Sequence, residues 1–305
     1  MGGFLFSYLE GRKLTDILAS FLGVSMVVSS GAAKSLGLFV LDMDVSPFWM
    51  PAVIGGAVTF PLLVTIACFL DRLPDPTDED KANRTERIPL GGKQRMSLLK
   101  KYSTLLIPFL IVNVLYTVLR DIKEDFLVDI LRHTSINLTS FLFVQVDSVI
   151  TIILLVVFGA MILIKDNAKS LNILLLLMMT GSLFVLFTSL FFNQLSTTPP
   201  VTWLFLQSIG IYTAYLAFQT IFFDRFIACF RIAGNVGFFI YLADFLGYLF
   251  SCVFLLGKSV LGFEINWLQY YNSLSIGISL ICILSITIAL KVLYNKQRSL
   301  TLVKI

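Results

Sequence analysis

A chain of 305 residues that is 57% hydrophobic and only 14% charged, with 28 Phe and a mean hydropathy of +0.88, lies far outside the usage of soluble domains. Its first partner is the lipid bilayer, and its net charge of +4 reads as membrane topology rather than as affinity for nucleic acid. Runs such as "ITIILLVVFGAMILI" lack the strict alternation of membrane strands, so the fold class is all-α: a polytopic transmembrane helical bundle.

The chain opens on "MGGFLFSYLEGRK", half a membrane helix followed at once by charge. Residues 1–9 have neither the basic start nor the small-residue cleavage site of a signal peptide. Eight apolar stretches follow, at about 14–41, 47–71, 102–120, 141–164, 168–193, 201–223, 233–257 and 267–293. Each is long enough to cross a hydrocarbon core of roughly 30 Å as a helix. Between the second and third lies "DRLPDPTDEDKANRTERIPLGGKQRMSLLKKY", which mixes both signs with Pro and Gly. It reads as a solvated linker with a short basic amphipathic end on the headgroups.

Placing the Lys and Arg residues on alternating sides puts 18 of the 23 on the side that holds this linker and the C-terminus. The positive-inside rule makes that side cytoplasmic. Cys68, Cys229, Cys252 and Cys282 stand singly without CxxC spacing, so they read as buried small side chains rather than as metal or disulfide partners. With one His, His133, in a polar connector, no metal site or cofactor is expected. No triad, metal-spaced cluster or phosphate-cradling loop points to an enzyme.

Ionisable residues deep in a span are costly and usually face the bundle interior. Lys34, Asp147 and Asp244 fall in the first, fourth and seventh full spans, whereas the second, fifth and eighth have charge-free cores. A period of three helices is expected if every third helix faces lipid, as in transporters built from internal repeats. The last six spans then make two triplets, and the opening residues are the end of a helix belonging to an earlier one.

The stretches "FFDRFIACFRIAGNVGFFIYLADFLGYL" at 222–249, "SYLEGRKLTDIL" at 7–18, "SSGAAKSLG" at 29–37 and "VLRDIKEDF" at 118–126 resemble a family of bacterial major-facilitator-like membrane proteins of unknown function. The resemblance implies two six-helix halves joined by a central loop, in an N-terminally shortened chain. Residues 1–71 would be the end of helix 4 with helices 5 and 6, residues 72–101 the cytoplasmic loop, and residues 102–305 helices 7 to 12. It implies a bacterial inner membrane, a cytoplasmic C-terminus and a secondary transporter of an undefined small solute, working by alternating access with or without proton coupling; a polytopic membrane enzyme and a non-functional transporter fragment are the alternative readings. The oligomeric state is open. The connector "ILIKDNAKSLNI" keeps only Lys165, Asp166 and Lys169 where that superfamily carries a charged gating motif.

Lys34 and Asp147 lie at matching depths, on the order of 10 Å below the outer surface at about 1.5 Å per residue. The resembled fold sets their helices face to face, so a Lys34–Asp147 bridge closing the outer side stands beside separate snorkelling of each. Asp244, between Tyr241 and Tyr248, is a candidate proton-coupling group or a structural hydrogen-bond acceptor. Asn113, Tyr116, Gln207, Tyr212, Tyr215 and Gln219 are candidates for a midplane site. Arg120, Asp121 and Lys123, beside Glu124 and Asp125, read as an outer mouth or gate rather than as a buried site. Glu10 with Arg12, and Asp224 with Arg225 or Arg231, form a candidate inner latch.

Overall fold

The computed structural model describes residues 15–72, 91–131, 141–192, 200–219, 221–230, 232, 236–261 and 266–302. Among these residues all regular structure is helical: α1 Thr15–Asp42, α2 Met50–Ile54, α3 Phe60–Asp71, α4 Gly92–Asp125, α5 Leu127–Leu131, α6 Leu142–Gly159, α7 Asn167–Leu190, α8 Pro200–Gln219, α9 Phe222–Phe230, α10 Val236–Leu261 and α11 Trp267–Leu302.

Local sequence explains the breaks. Asp44, at φ 61°, ends α1 in the left-handed region that Asp tolerates, with its N–H on the Leu41 carbonyl at 3.0 Å. A π-turn at Gly55–Thr59 joins α2 to α3, where Pro61 removes a backbone donor and its ring would crowd a normal turn. Asp166 caps α7, accepting from the N–H groups of Ala168 at 2.8 Å and Lys169 at 3.3 Å. The charge left in that connector thus has a structural use.

Among the described residues seven helices are long and apolar enough to cross a membrane. The sixth predicted span, 201–223, is a pair instead: α8 and α9 meet at a bend of 40°. The segment expected to be an amphipathic linker end at 92–101 is the start of α4 itself. At 34 residues α4 is about 50 Å long, longer than a hydrocarbon core, so its basic first turns project beyond the apolar layer.

Contacts show how the spans run. Gly31 faces Asp147, and Ser35 Oγ accepts from the Val144 N–H at 3.2 Å, so α1 and α6 are antiparallel. Asn113, Thr117 and Asp121 on α4 meet Ala243, Gly247 and Ser251 on α10 in the same order, so those two are parallel. The near end of the bundle is the one where α4 begins, and the far end is where it finishes. Helices α4, α7, α8, α10 and α11 pack around one core, while α1 pairs mainly with α6 and joins the rest through α8. An aromatic stack ties α4, α8, α9 and α10 together at the near end, with Phe109 and Phe222 at 4.4 Å and Phe223 and Phe239 at 5.7 Å.

The expected three-helix rhythm holds in part. The charge-free α2–α3 span has no buried residue in its apolar window. The charge-free α7 and α11 are not lipid-facing spacers, because both bury a face carrying Ser182, Thr188, Ser275 and Ser279. A hydroxyl can satisfy its hydrogen bond on its own helix, so a charge-free helix is not thereby an outer one. Of the cysteines only Cys282 is buried, and Cys68 and Cys252 are exposed. On an apolar surface facing lipid, exposure costs such a side chain nothing.

Helices α7 and α8 approach closely enough for backbone contact. A Cβ at Gly181 would sit 2.7 Å from both the Ala214 N and the Gly210 O, so only a hydrogen fits there. Gly181→Val is expected to destabilise the bundle by roughly 1–3 kcal/mol through overpacking. Gly277→Ala, with open space around its Cβ, should be neutral or stabilising, and thermal melts of both variants in detergent check the contrast.

Candidate functional site

The C-terminal turns of α4 carry Arg120, Asp121, Lys123 and Glu124. Four consecutive or nearly consecutive charges cannot share one helix face, so neighbours on several sides must satisfy them. Glu124 is the hub. Lys34 and Ser30, one turn apart on α1, both donate to its Oε2. Lys123 Nζ donates to Oε1 at 2.7 Å and the Tyr212 hydroxyl on α8 at 2.6 Å. Lys34 Nζ also reaches Ser30 Oγ at 3.0 Å. Three helices therefore converge on one carboxylate.

Lys123 is only 2% exposed, with its ammonium 4.8 Å from the centre of the Tyr212 ring. Asp147, on α6, is 6% exposed and lies within electrostatic range of Lys34 and Lys123. It accepts no hydrogen bond from the described residues. Gly31 leaves the room it occupies, since a Cβ there would press on its Oδ2.

Beside this network, Arg120 binds Asp121 Oδ1 through Nε at 2.9 Å and Nη2 at 2.6 Å and lies over the Tyr215 ring. Ser251 on α10 donates to Asp121 Oδ2 at 2.6 Å. Deeper in the bundle, Gln219 Nε2 donates to Asn113 Oδ1 at 3.0 Å and to Asp244 Oδ1 at 3.2 Å. Asn113 Nδ2 in turn donates to the Ala243 carbonyl at 2.9 Å. A third cluster centres on Gln207, 1% exposed, which accepts from Thr188 and donates to Ser189 at 3.4 Å and Ser275 at 3.2 Å.

These positions revise several expectations. Lys34 pairs with Glu124 rather than with Asp147, because the end of α4 reaches the lysine and the depth match with α6 was only one of two available. Arg120, Asp121 and Lys123 are not an open mouth, since α1, α8 and α10 cover them. Asp244 is a hydrogen-bond acceptor of Gln219, with Tyr241 and Tyr248 exposed beside it. Tyr212 and Tyr215 serve the charged network, whereas Tyr116 is wholly buried in the core.

Gln219 and Asn113 sit in one cluster with Asp244, and Gln207 in another. A cavity of about 480 Å³ opens between α4, α10 and α11, lined by Val118, Phe250, Val253, Gly277 and Ile281 among others. It contains none of the predicted site residues. Of the latch candidates, Arg225 on α9 donates to Asn167 Oδ1 on α7 at 2.9 Å, and Asp224 is half-buried. Glu10, Arg12 and Arg231 lie outside the described residues, as does His133.

Glu124 is the residue that sequence reasoning undervalued. The available signal was Ser30 and Lys34 at i and i+4 on a span otherwise apolar, which mark one polar helix face in need of an acidic partner. No group of His, Cys, Asp and Glu suited to a metal occurs among the described residues.

An all-helical bundle with seven apolar spans among the described residues is that of a polytopic integral membrane protein. The chain belongs to a family of unknown function (DUF5690), whose model matches residues 1–298. Neither a curated protein nor a solved structure matches it.

Two substitutions separate the clusters energetically. Glu124→Gln strips Lys34 and Lys123 of their hydrogen-bonded counter-charge, leaving Asp147 as the one carboxylate that acts on both, and is expected to cost at most about 3–5 kcal/mol. Gln207→Met is expected to cost only about 1 kcal/mol, because Thr188 and Ser275 already bond carbonyls of their own helices at 2.9 and 2.8 Å. Unfolding of each variant in detergent measures the difference.

Proposed function

We propose that this protein is a secondary transporter of a small solute, working by alternating access with proton coupling, rather than an enzyme. The observation that carries the reading is the partly buried Lys34–Glu124–Lys123 network, which joins α1 to α4 and α8 at the far end of apolar helices. Ionisable groups at that depth are expensive and mark ion or substrate pathways in membrane proteins.

The packing supplies a seam along which such a network could open and close. Helices α1 and α6 pack most extensively on each other and join the core of the remaining spans mainly through α8, while charged side chains cross from α1 to α4. Packed interfaces switch between discrete arrangements rather than deforming continuously, and a few polar contacts across this one supply groups that can exchange partners. The resemblance of residues 7–18, 29–37, 118–126 and 222–249 to major-facilitator-like proteins supports the same reading. The excess of Lys and Arg on the near side supports a cytoplasmic near side and C-terminus on the positive-inside rule, and the same resemblance supports a bacterial inner membrane.

Spin labels report the motion without a known solute. Met43 and Leu190 mark the two helix groups at the far end, and Leu163 and Met96 mark them at the near end; all four are exposed. Labels at Met43→Cys with Leu190→Cys, and at Leu163→Cys with Met96→Cys, should each give two distance populations in lipid. The far pair should lengthen as the near pair shortens when pH is changed. A single unchanging distance at both ends would remove alternating access.

A further inference from the structure

The network holds one carboxyl group that the closed arrangement does not use. Both lysine ammoniums are engaged by Glu124, Lys34 at Oε2 and Lys123 at Oε1. Glu124 also holds the Ser30 and Tyr212 hydroxyls. Asp147 stands on the other side of the same lysines, buried, with no donor from the described residues. The charged groups that act on it are Lys34 from α1 and Lys123 from α4, and it acts in turn on Tyr212 from α8. Asp125 lies beyond Lys34 at the exposed end of α4.

We propose that Asp147 is the proton-carrying site of this protein, and that Lys34 is the cation that alternates with the proton there. In the arrangement seen, Lys34 is on Glu124 and Asp147 holds a proton. When α1 and α6 part from α4, Lys34 leaves Glu124 and turns to Asp147 within its own helix pair. The O–H bond of Asp147 then breaks, its electron pair stays on the carboxylate, and the proton leaves to water admitted at the far end. The arriving ammonium compensates the new charge. Glu124 stays ionised throughout because Lys123, Tyr212 and Ser30 remain with it. On closing, the lysine returns to Glu124 and Asp147 takes a proton back.

Three features make Asp147 better placed for this than Asp244. It shares a charged neighbour with a second carboxylate, so one cation serves two sites in turn. Its space is kept by Gly31 on the very helix that carries Lys34. By contrast, Gln219 binds Asp244 at 3.2 Å, with no lysine within the cluster to exchange for a proton.

The inference rests on the transport reading for the use of the proton, but the proton itself is read directly. Infrared spectra of the protein in lipid at neutral pH should contain a protonated carboxyl C=O band. Asp147→Asn should abolish it, and Asp244→Asn should not. In Glu124→Gln the lysines lose their partner and turn to Asp147, so the band should vanish with Asp147 still in place. Lys34→Met, which removes the competitor, should retain the band to higher pH than the wild type. It serves as the second test if Glu124→Gln fails to fold.

A band unchanged by Asp147→Asn overturns the proposal, and so does one retained in folded Glu124→Gln. Loss of the band in Lys34→Met at a pH no higher than in the wild type overturns it as well. Failure in these spectra counts against the proton site alone, while failure of the spin-label distances counts against alternating access.

Discussion

An ionised carboxylate in the interior of a membrane bundle must find donors or leave, and Glu124 finds four. The energy needed to remove it from water is several kcal/mol even after relaxation. That is a large fraction of what holds any domain together. Its ligands therefore dictate the arrangement around it. Ser30 and Lys34 fix the rotation of α1, Tyr212 fixes that of α8, and Lys123 is folded back against Tyr212 along α4. Arg120 and Asp121, which lie on other faces of the same turns, neutralise each other and take a further donor from α10.

The apolar packing is built to let those groups meet. Gly181 and Gly210 bring α7 and α8 into backbone contact, Gly31 admits Asp147 between α1 and α6, and Gly247 lets α10 lie on Thr117. Without a hydrophobic drive between helices in lipid, such close approach and interhelical hydrogen bonding supply the cohesion. The aromatic stack of Phe109, Phe222, Phe223 and Phe239 closes the near end, opposite the charges at the far end. The bundle is thus held by dispersion at one end and by ion pairs at the other. The two respond differently to water, which only the polar end can admit without losing its bonding.

Span α2–α3 stands apart from this scheme. It touches the bundle chiefly where α2 meets α1 and buries none of its own apolar window. In a bilayer its Phe, Leu and Val side chains face hydrocarbon, which costs nothing there. Its position therefore depends on the turn after α1 rather than on side-chain packing.

The sequence by itself determined the helical class, the bilayer as solvent and the approximate place of the spans, because length and hydropathy act locally along one chain. It also exposed Lys34, Asp147 and Asp244 as costly residues, because cost is a property of depth. The choice of partner was not legible. Lys34 had Asp147 and Glu124 within reach at the far end, and the rotation of α1 against α4, set by glycines and hydroxyls on three helices, selected Glu124. Burial of Lys123 was hidden for the same reason, since a charge-dense helix end reads as solvated until neighbouring helices are seen to cover it. The tertiary structure alone decided these points, because ion pairing depends on which faces meet, and a periodic apolar sequence leaves that choice nearly degenerate.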